Sequence, residues 1–226
     1  MQNARQSRVA GQAYVSLTLR AILFNEDICL SIYLVRHADK ENGDYYSPSL
    51  PMNNQPISEL GKKQASKLVH YFHDIKVTSI YVSEYSRTTQ TIKPVSEKLG
   101  IVPTIDNRLN EINIGNTDRL SEEQIKEKYP VFWKQYKERT EDFTFPNGEN
   151  GEEAASRIFS LFSTLSKDDN TILVAHDGII RLLICRILGM PVYRRHQFQI
   201  DLASISKCDY DTGFKSWRIS VLNYSM

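Results

Sequence analysis

Ile32-Tyr33-Leu34-Val35-Arg36-His37-Ala38 decides the fold reading. Four β-forming residues run straight into an arginine and a histidine. A continuous apolar run of this kind reads as a strand buried on both faces, as in parallel sheets. Ligands of open α/β sheets bind beyond the carboxyl ends of the strands, so the run predicts Arg36 and His37 at a binding crevice. A guanidinium is a planar fork of donors matched to phosphate. An imidazole serves as nucleophile or proton carrier at neutral pH. An Arg-His pair after a strand is by itself ordinary loop sequence; the reading gains its weight at Arg87, Glu111 and His176.

Two further strands end in the same way. Ser79-Ile80-Tyr81-Val82 leads into Ser83-Glu84-Tyr85-Ser86-Arg87 and a helix ending near Gly100. Thr171-Ile172-Leu173-Val174-Ala175 leads into His176-Asp177-Gly178 and an apolar helix, Ile179 to Leu188, which Gly189-Met190-Pro191 stops. Ser58 caps an earlier helix whose apolar face carries Leu60, Ala65, Leu68, Val69 and Phe72. Residues 102–111 read as extended, 121–139 and 152–166 as helical, and 200–207 and 216–223 as strands. Strands alternating with helices predict a three-layer α/β/α sandwich around a mostly parallel sheet.

Residues 39–57 are polar and turn-rich, with Pro48, Pro51 and Pro56; a loop this long that leaves the crevice is expected to shape specificity. The first 30 residues carry Arg5, Arg8 and Arg20 and no acid before Glu26. They read as an organelle transit peptide or a loosely ordered extension; the second is preferred, because neither a cleavage pattern nor an Arg-rich amphipathic stripe is evident. Residues 31–226 then form a single domain.

The 226 residues carry 28 basic and 27 acidic side chains, a net charge of +1, so no global field attracts nucleic acid or membrane and any basic site is local. Cys29, Cys185 and Cys208 are few and unpatterned, which suits reduced thiols and a cytoplasmic protein. No apolar run approaches the ~18–20 residues of a membrane span.

If neighbouring strands are parallel, Arg36, His37, Arg87 and His176 converge on one edge of the sheet. Two guanidiniums and two imidazoles suit a tetrahedral dianion, and phosphoryl transfer needs little beyond an in-line nucleophile and fixed positive charge. The leaving alkoxide needs a proton, and Glu111 is the candidate acid. Each residue also has a plainer reading: Arg87 paired with Glu84 or Glu97, Glu111 as a surface carboxylate, His176 as a satisfied histidine at a strand end. The joint pattern outweighs them.

The chain resembles the histidine phosphatase superfamily, which includes cofactor-dependent phosphoglycerate mutase, over roughly residues 31–222. "IYLVRHA" is similar to its Arg-His-Gly strand, "ISELGKKQASKL" to its "LT-x-x-G-x-x-QA" segment, and "IYVSEYSRTTQT" to "S-x-x-x-R-x-x-QT". "RLNEINIG" is similar to "L-x-E-x-x-x-G", "NGENGEEAASRI" to "GES…R", and "ILVAHDGIIRLLICRILG" to the second-histidine motif. The resemblance implies a phosphoglycerate mutase-like sandwich. It implies His37 as the nucleophile that becomes phosphohistidine, Arg36, Arg87 and His176 holding the phosphoryl group, and Glu111 as proton donor. It implies no metal or organic cofactor. Five positions depart from the pattern. Ala38 replaces glycine and is expected to crowd the turn beside the nucleophile. Asp39-Lys40 replaces Glu-Thr, leaving Lys40 to supply charge or point to solvent. Asn42 falls one position short of a phosphate-contacting asparagine. Asp177 replaces a glycine and is expected to cap the following helix.

Mutases of this family carry an insertion with extra basic residues after the acid. Here residues 112–121 are short and hold one arginine, Arg119, which favours hydrolysis. The expected activity is a metal-independent phosphomonoesterase acting on a small phosphorylated metabolite, as monomer or homodimer. A mutase-type phosphotransferase and a non-catalytic phosphate binder are the alternatives. Tyr129, Phe132, Trp133 and Tyr136 are expected to pack a core or lid.

Overall fold

The computed structural model describes residues 31–41, 54–165 and 169–226. Asn42 and residues 1–30 fall outside them. Strand β1 is Ser31–Arg36, helix α1 Glu59–Phe72, β2 Val77–Val82, α2 Ser86–Leu99 and β3 Thr104–Ile105. Then come α3 (Glu122–Lys128), α4 (Pro130–Glu138), α5 (Gly151–Phe162), β4 (Asn170–Ala175), α6 (Asp177–Leu188), β5 (Ile205–Asp211) and β6 (Ser216–Tyr224). The sheet runs β3-β2-β4-β1-β5-β6. β3, β2, β4 and β1 are mutually parallel; β5 is antiparallel to β1, and β6 to β5. The predicted α/β architecture is therefore the one observed.

The period-2 alternation of β1 divides its side chains between two cores. Ile32 and Leu34, with Leu173 and Ala175 of β4, pack against α5 and α6 residues such as Ile158 and Leu183. Tyr33 and Val35, with Ile172 and Val174, pack against Leu68 and Phe72 of α1 and Ile92 and Val95 of α2. Each fully buried Leu or Ile contributes about 1.5–3 kcal/mol, so burial on both faces pins the register. That register pairs Leu34 with Leu173 and Arg36 with Ala175. The carboxyl ends of β2, β4 and β1 consequently lie side by side, at Ser83, His176 and His37. His37 N–H still donates to the Ala175 carbonyl (2.9 Å) and Ser83 N–H to Val174 (3.3 Å).

Several local expectations are corrected. The segment 121–139 is two helices, because Tyr129, preceding Pro130, is pushed off helical geometry (φ −133°, ψ 59°). Strand β5 begins at Ile205, since Ala203 turns the chain at φ 54° and donates its N–H to the His37 carbonyl (3.2 Å). Between 102 and 111 only Thr104–Ile105 pair as strand, before a 3₁₀ turn at Asn107–Leu109. The described ends of the 39–57 loop meet: Lys40 and Ile57 form an antiparallel bridge, and Glu41 N–H donates to the Pro56 carbonyl (2.9 Å). Cys185 and Cys208 are buried free thiols. No helix among the described residues is long and apolar enough to cross a membrane.

Candidate active site

The turn after β1 is clamped by two helices. Ser58, the N-cap of α1, accepts from Gly61 N–H (3.1 Å), while its hydroxyl donates to the Asp39 carboxylate and its N–H to the Asp39 carbonyl (2.9 Å). Gln64 Oε1 accepts from Asp39 N–H (2.8 Å). A Cβ on Gly61 would stand 2.1 Å from the Asp39 carbonyl oxygen, so only glycine lets α1 come this close. From α2, Thr91 Oγ1 accepts from Ala38 N–H (2.8 Å) and Gln90 Oε1 from Ile57 N–H (2.8 Å). The motifs around Gly61 and Arg87 thus do one job, which is to fix the backbone on either side of His37. Ala38 does not crowd that turn: its methyl is fully buried with Ile57, Ala65 and Ala203.

His37 is 6 % exposed, and its Nδ1 lies 2.8 Å from the Ala38 carbonyl oxygen. Burial, then the Arg87 guanidinium, then Arg36 and Lys40, push its pKa down to about 3 against the opposing pull of the Ala38 carbonyl. The ring is neutral at physiological pH.

Arg87, on the first turn of α2, is buried and does not pair with Glu84 or Glu97. Its guanidinium lies 4.3 Å over the Tyr85 ring, and its Nη2 is 3.1 Å from His176 Nδ1. His176 is fully buried; its Nε2 sits 2.8 Å from Ser83 Oγ, and its ring meets Tyr85 edge-on at 5.1 Å. Burial and Arg87 hold its pKa well below the ordinary histidine value. The resemblance implies direct contact of His176 with the phosphoryl group. In the structure Nε2 faces Ser83 and Nδ1 faces Arg87, and the ring lies 5.1 Å from the His37 ring, beside the nucleophile. Ser83 and Tyr85 were not singled out from sequence, although both lie within the "S-x-x-x-R" segment.

Glu111 reaches the site from the loop after β3. Its carboxylate accepts from the N–H groups of Ile112 (2.9 Å), Gly178 (3.2 Å) and Ile179 (3.1 Å), so it sits on the amino end of the twelve-residue α6. Burial raises its pKa, against the lowering pull of the Ile112 and Gly178 amides. Gly178 permits the contact: a Cβ there would meet Glu111 Oε1 at 2.7 Å. Asp177, expected as the cap of α6, is its first residue instead; His176 is the N-cap, and Asp177 pairs with Arg181 at 2.8 Å. The Glu111 loop is braced from α5. Arg157 pairs with Glu149 through two nitrogens (2.8 and 2.9 Å) and donates to the carbonyls of Arg108 (2.8 Å) and Asn110 (3.0 Å).

Arg36, His37, Lys40, Arg87 and Glu111 line one cavity of about 560 Å³. The sequence-predicted residues therefore meet, with the fully buried His176 against His37 and Arg87; Asn42 lies outside the described residues. Lys40 faces the cavity and not bulk solvent alone. Tyr85, Ile112, Ile114 and Leu202, with Asn113 and Asp118, also line it. Phe132, Trp133 and Tyr136 stack among themselves and with Phe143 and Phe145, off the cavity, as packing aromatics.

The family model of the histidine phosphatase superfamily (branch 1) matches residues 32–224. A relative from Cronobacter sakazakii bearing the name "Probable phosphoglycerate mutase GpmB" is 26% identical over 185 residues, covering 80% of this chain and 85% of its own. Among solved structures, mycobacterial glucosyl-3-phosphoglycerate phosphatase is 26% identical with a TM-score of 0.72, covering 87% of this chain and 100% of its own. The α-ribazole phosphatase of Shigella flexneri has a TM-score of 0.72 at 23% identity, covering 86% and 96%, a likeness of fold.

Proposed function

The chain belongs to the histidine phosphatase superfamily, and from that premise we propose that it hydrolyses a small phosphomonoester through a phosphohistidine on His37. The observation that carries this is the 2.8 Å approach of His37 Nδ1 to the Ala38 carbonyl oxygen. A carbonyl only accepts, so Nδ1 holds the proton and Nε2 presents its lone pair. With its pKa at about 3, His37 needs no general base before it attacks.

Arg36 and Arg87, with Lys40 beside them, hold the phosphoryl oxygens. His37 Nε2 attacks phosphorus in line, and the bond from phosphorus to the ester oxygen breaks. Glu111, whose carboxyl burial keeps protonated above the usual range, gives its proton to the departing oxygen. Water then attacks the phosphohistidine, the Glu111 carboxylate takes up its proton, and the nitrogen–phosphorus bond breaks to release inorganic phosphate. The volume fits a small metabolite.

Hydrolysis is favoured over mutase chemistry by the wall that follows Glu111. Residues 112–118 contribute Ile112, Asn113, Ile114, Gly115 and Asp118 to the cavity, none of them basic, and Arg119 sits beside Asp118 at 3.6 Å without lining it. A substrate carboxylate would face Asp118. The test is hydrolysis of p-nitrophenyl phosphate in EDTA by wild type and His37→Ala. Activity that survives chelation, vanishes in the variant and leaves an acid-labile phosphoenzyme on quenching supports the reading; an acid-stable phosphoenzyme or equal activity of the two proteins rejects it.

A further inference from the structure

We propose that Ser83 and Thr88 are positioning residues: together they fix His176 as its Nε2–H tautomer, and that tautomer aims the Arg87 guanidinium into the cavity. The proposal rests on the phosphatase reading only in what Arg87 is aimed at.

The direction of every proton in the network follows from its two ends. At one end stands Arg87, which has donors and no acceptor. Its Nη2 lies 3.1 Å from His176 Nδ1, so Nδ1 must present a lone pair. A neutral imidazole then carries its proton on Nε2, which must donate to Ser83 Oγ at 2.8 Å. At the other end stands Thr88. Its single hydroxyl proton is directed to backbone carbonyls, Tyr85 at 2.8 Å and Ser83 at 3.1 Å. Thr88 Oγ1 is left as an acceptor towards Ser83 Oγ, 3.0 Å away. Ser83 therefore gives its proton to Thr88 and accepts from His176 Nε2–H and from the Tyr85 N–H (3.3 Å). The two ends were assigned independently and agree on one proton pattern.

Ser83, Thr88 and His176 are each fully buried. No bulk water is at hand to replace a lost partner, and a half-satisfied buried network is costly. The Tyr85 ring stands edge-on to His176 and under the Arg87 guanidinium, and the His37 ring lies 5.1 Å from His176. The guanidinium is thus stacked from one side and hydrogen-bonded from another, and its direction depends on which His176 nitrogen holds the lone pair. In the opposite tautomer an N–H at Nδ1 would face the guanidinium N–H groups and drive them apart.

The experiment is ¹⁵N NMR of the His176 ring in the full chain, with kinetics on aryl and alkyl phosphates and inhibition by inorganic phosphate. Wild type should show the Nε2–H tautomer. In Thr88→Val, Ser83 loses the acceptor for its proton and turns it on His176, so the ring should convert to Nδ1–H; Thr88→Ser should restore the wild-type signal. Ser83→Ala should leave a mixture of tautomers. In both damaged variants kcat/KM should fall by the same factor on aryl and alkyl phosphates, because Glu111 is untouched. The inhibition constant for inorganic phosphate should rise about 10-fold or more, as expected for a misdirected charged hydrogen bond. The proposal is overturned if His176 keeps its Nε2 proton in Thr88→Val, or if the tautomer changes while phosphate inhibition stays within twofold of wild type. Should Ser83→Ala fail to fold, the near-isosteric Thr88→Val and its serine rescue decide. The tautomer is read whether or not the wild type hydrolyses phosphomonoesters, so failure of the phosphatase reading is separately visible.

Discussion

Gly178→Ala puts a single methyl group against the proposed general acid. The added Cβ would lie 2.7 Å from Glu111 Oε1, whereas ordinary contact begins at 3.4 Å, so the carboxyl must retreat by about 0.7 Å. The Ile112 side chain, at 2.8 Å, can rotate aside. The Glu111 carboxylate cannot retreat without lengthening its contacts with the Gly178 and Ile179 amides, now 3.2 and 3.1 Å. Misplacing a reacting group by ~1 Å costs up to roughly 10²-fold, within the ~10²–10⁴ that general acid catalysis supplies. The loss should appear only where the leaving oxygen needs a proton. We expect kcat on an alkyl phosphate to fall about 10²-fold and kcat on p-nitrophenyl phosphate to change less than about threefold. The fold should survive, since alanine's ~1 kcal/mol helix advantage offsets part of the overpacking cost. Stopped-time assays on the two substrates, with thermal unfolding alongside, make the measurement. Equal losses on both substrates in a folded variant, or no loss on either, would refute the assignment of Glu111.

Other substitutions test other parts. Asp118→Asn should lower KM for carboxylate-bearing phosphoesters by roughly 2- to 5-fold and leave neutral ones unchanged, as suits one partly exposed charge; a uniform change would show that Asp118 does not read the leaving group. Arg157→Met takes from Glu149 its charged partner and from the Asn107, Arg108 and Asn110 carbonyls their donor, leaving Glu149 only the Asn113 N–H, and should cost about 3 kcal/mol in urea unfolding, with a selective loss on alkyl phosphates. The pH profile has a predicted shape. His37, at about 3, is already deprotonated across the neutral range, so it sets no acid limb above about pH 4. Glu111 must be protonated, so activity on alkyl phosphates should decline as pH rises through its raised pKa, and Glu111→Gln should abolish that limb. The same shift bears on stability. Because the folded pKa of Glu111 lies above its unfolded value of 4.5, its contribution is complete below 4.5 and is lost as pH rises through the folded pKa. Glu111→Gln should therefore gain stability over wild type on the alkaline side, measured as melting temperature against pH.

The strands were legible because their sequences are. β1 and β4 are apolar on both faces, and the abrupt change to Arg36-His37 or His176-Asp177 marks where each leaves the core. Arg87 and Glu111 were found as types at the right distance from strand ends, and the sheet order brings both to one cavity. What sequence could not supply was which way a side chain turns once buried. Asp177 has the composition of a cap, but Arg181 lies one helical turn on and takes its carboxylate, while His176 occupies the cap position. His176 has the composition of a ligand, but no pattern in the sequence says that Ser83 meets its Nε2 and Arg87 its Nδ1 once the ring is buried beside His37. The break at Tyr129 was marked by Pro130, and the periodicity on either side hid it.

The bridge between Lys40 and Ile57, with Glu41 tied to Pro56, joins the two described ends of the loop at a single point. His37 is secured upstream of that point, and Ser58, Gly61 and Gln64 downstream of it. Each doubling of the length of a loop costs only about 0.6 kcal/mol in closure entropy, a small sum beside the ties that Ser58, Gly61 and Gln64 make to Asp39, so the anchoring of the nucleophile's backbone tolerates an insertion between the bridged ends.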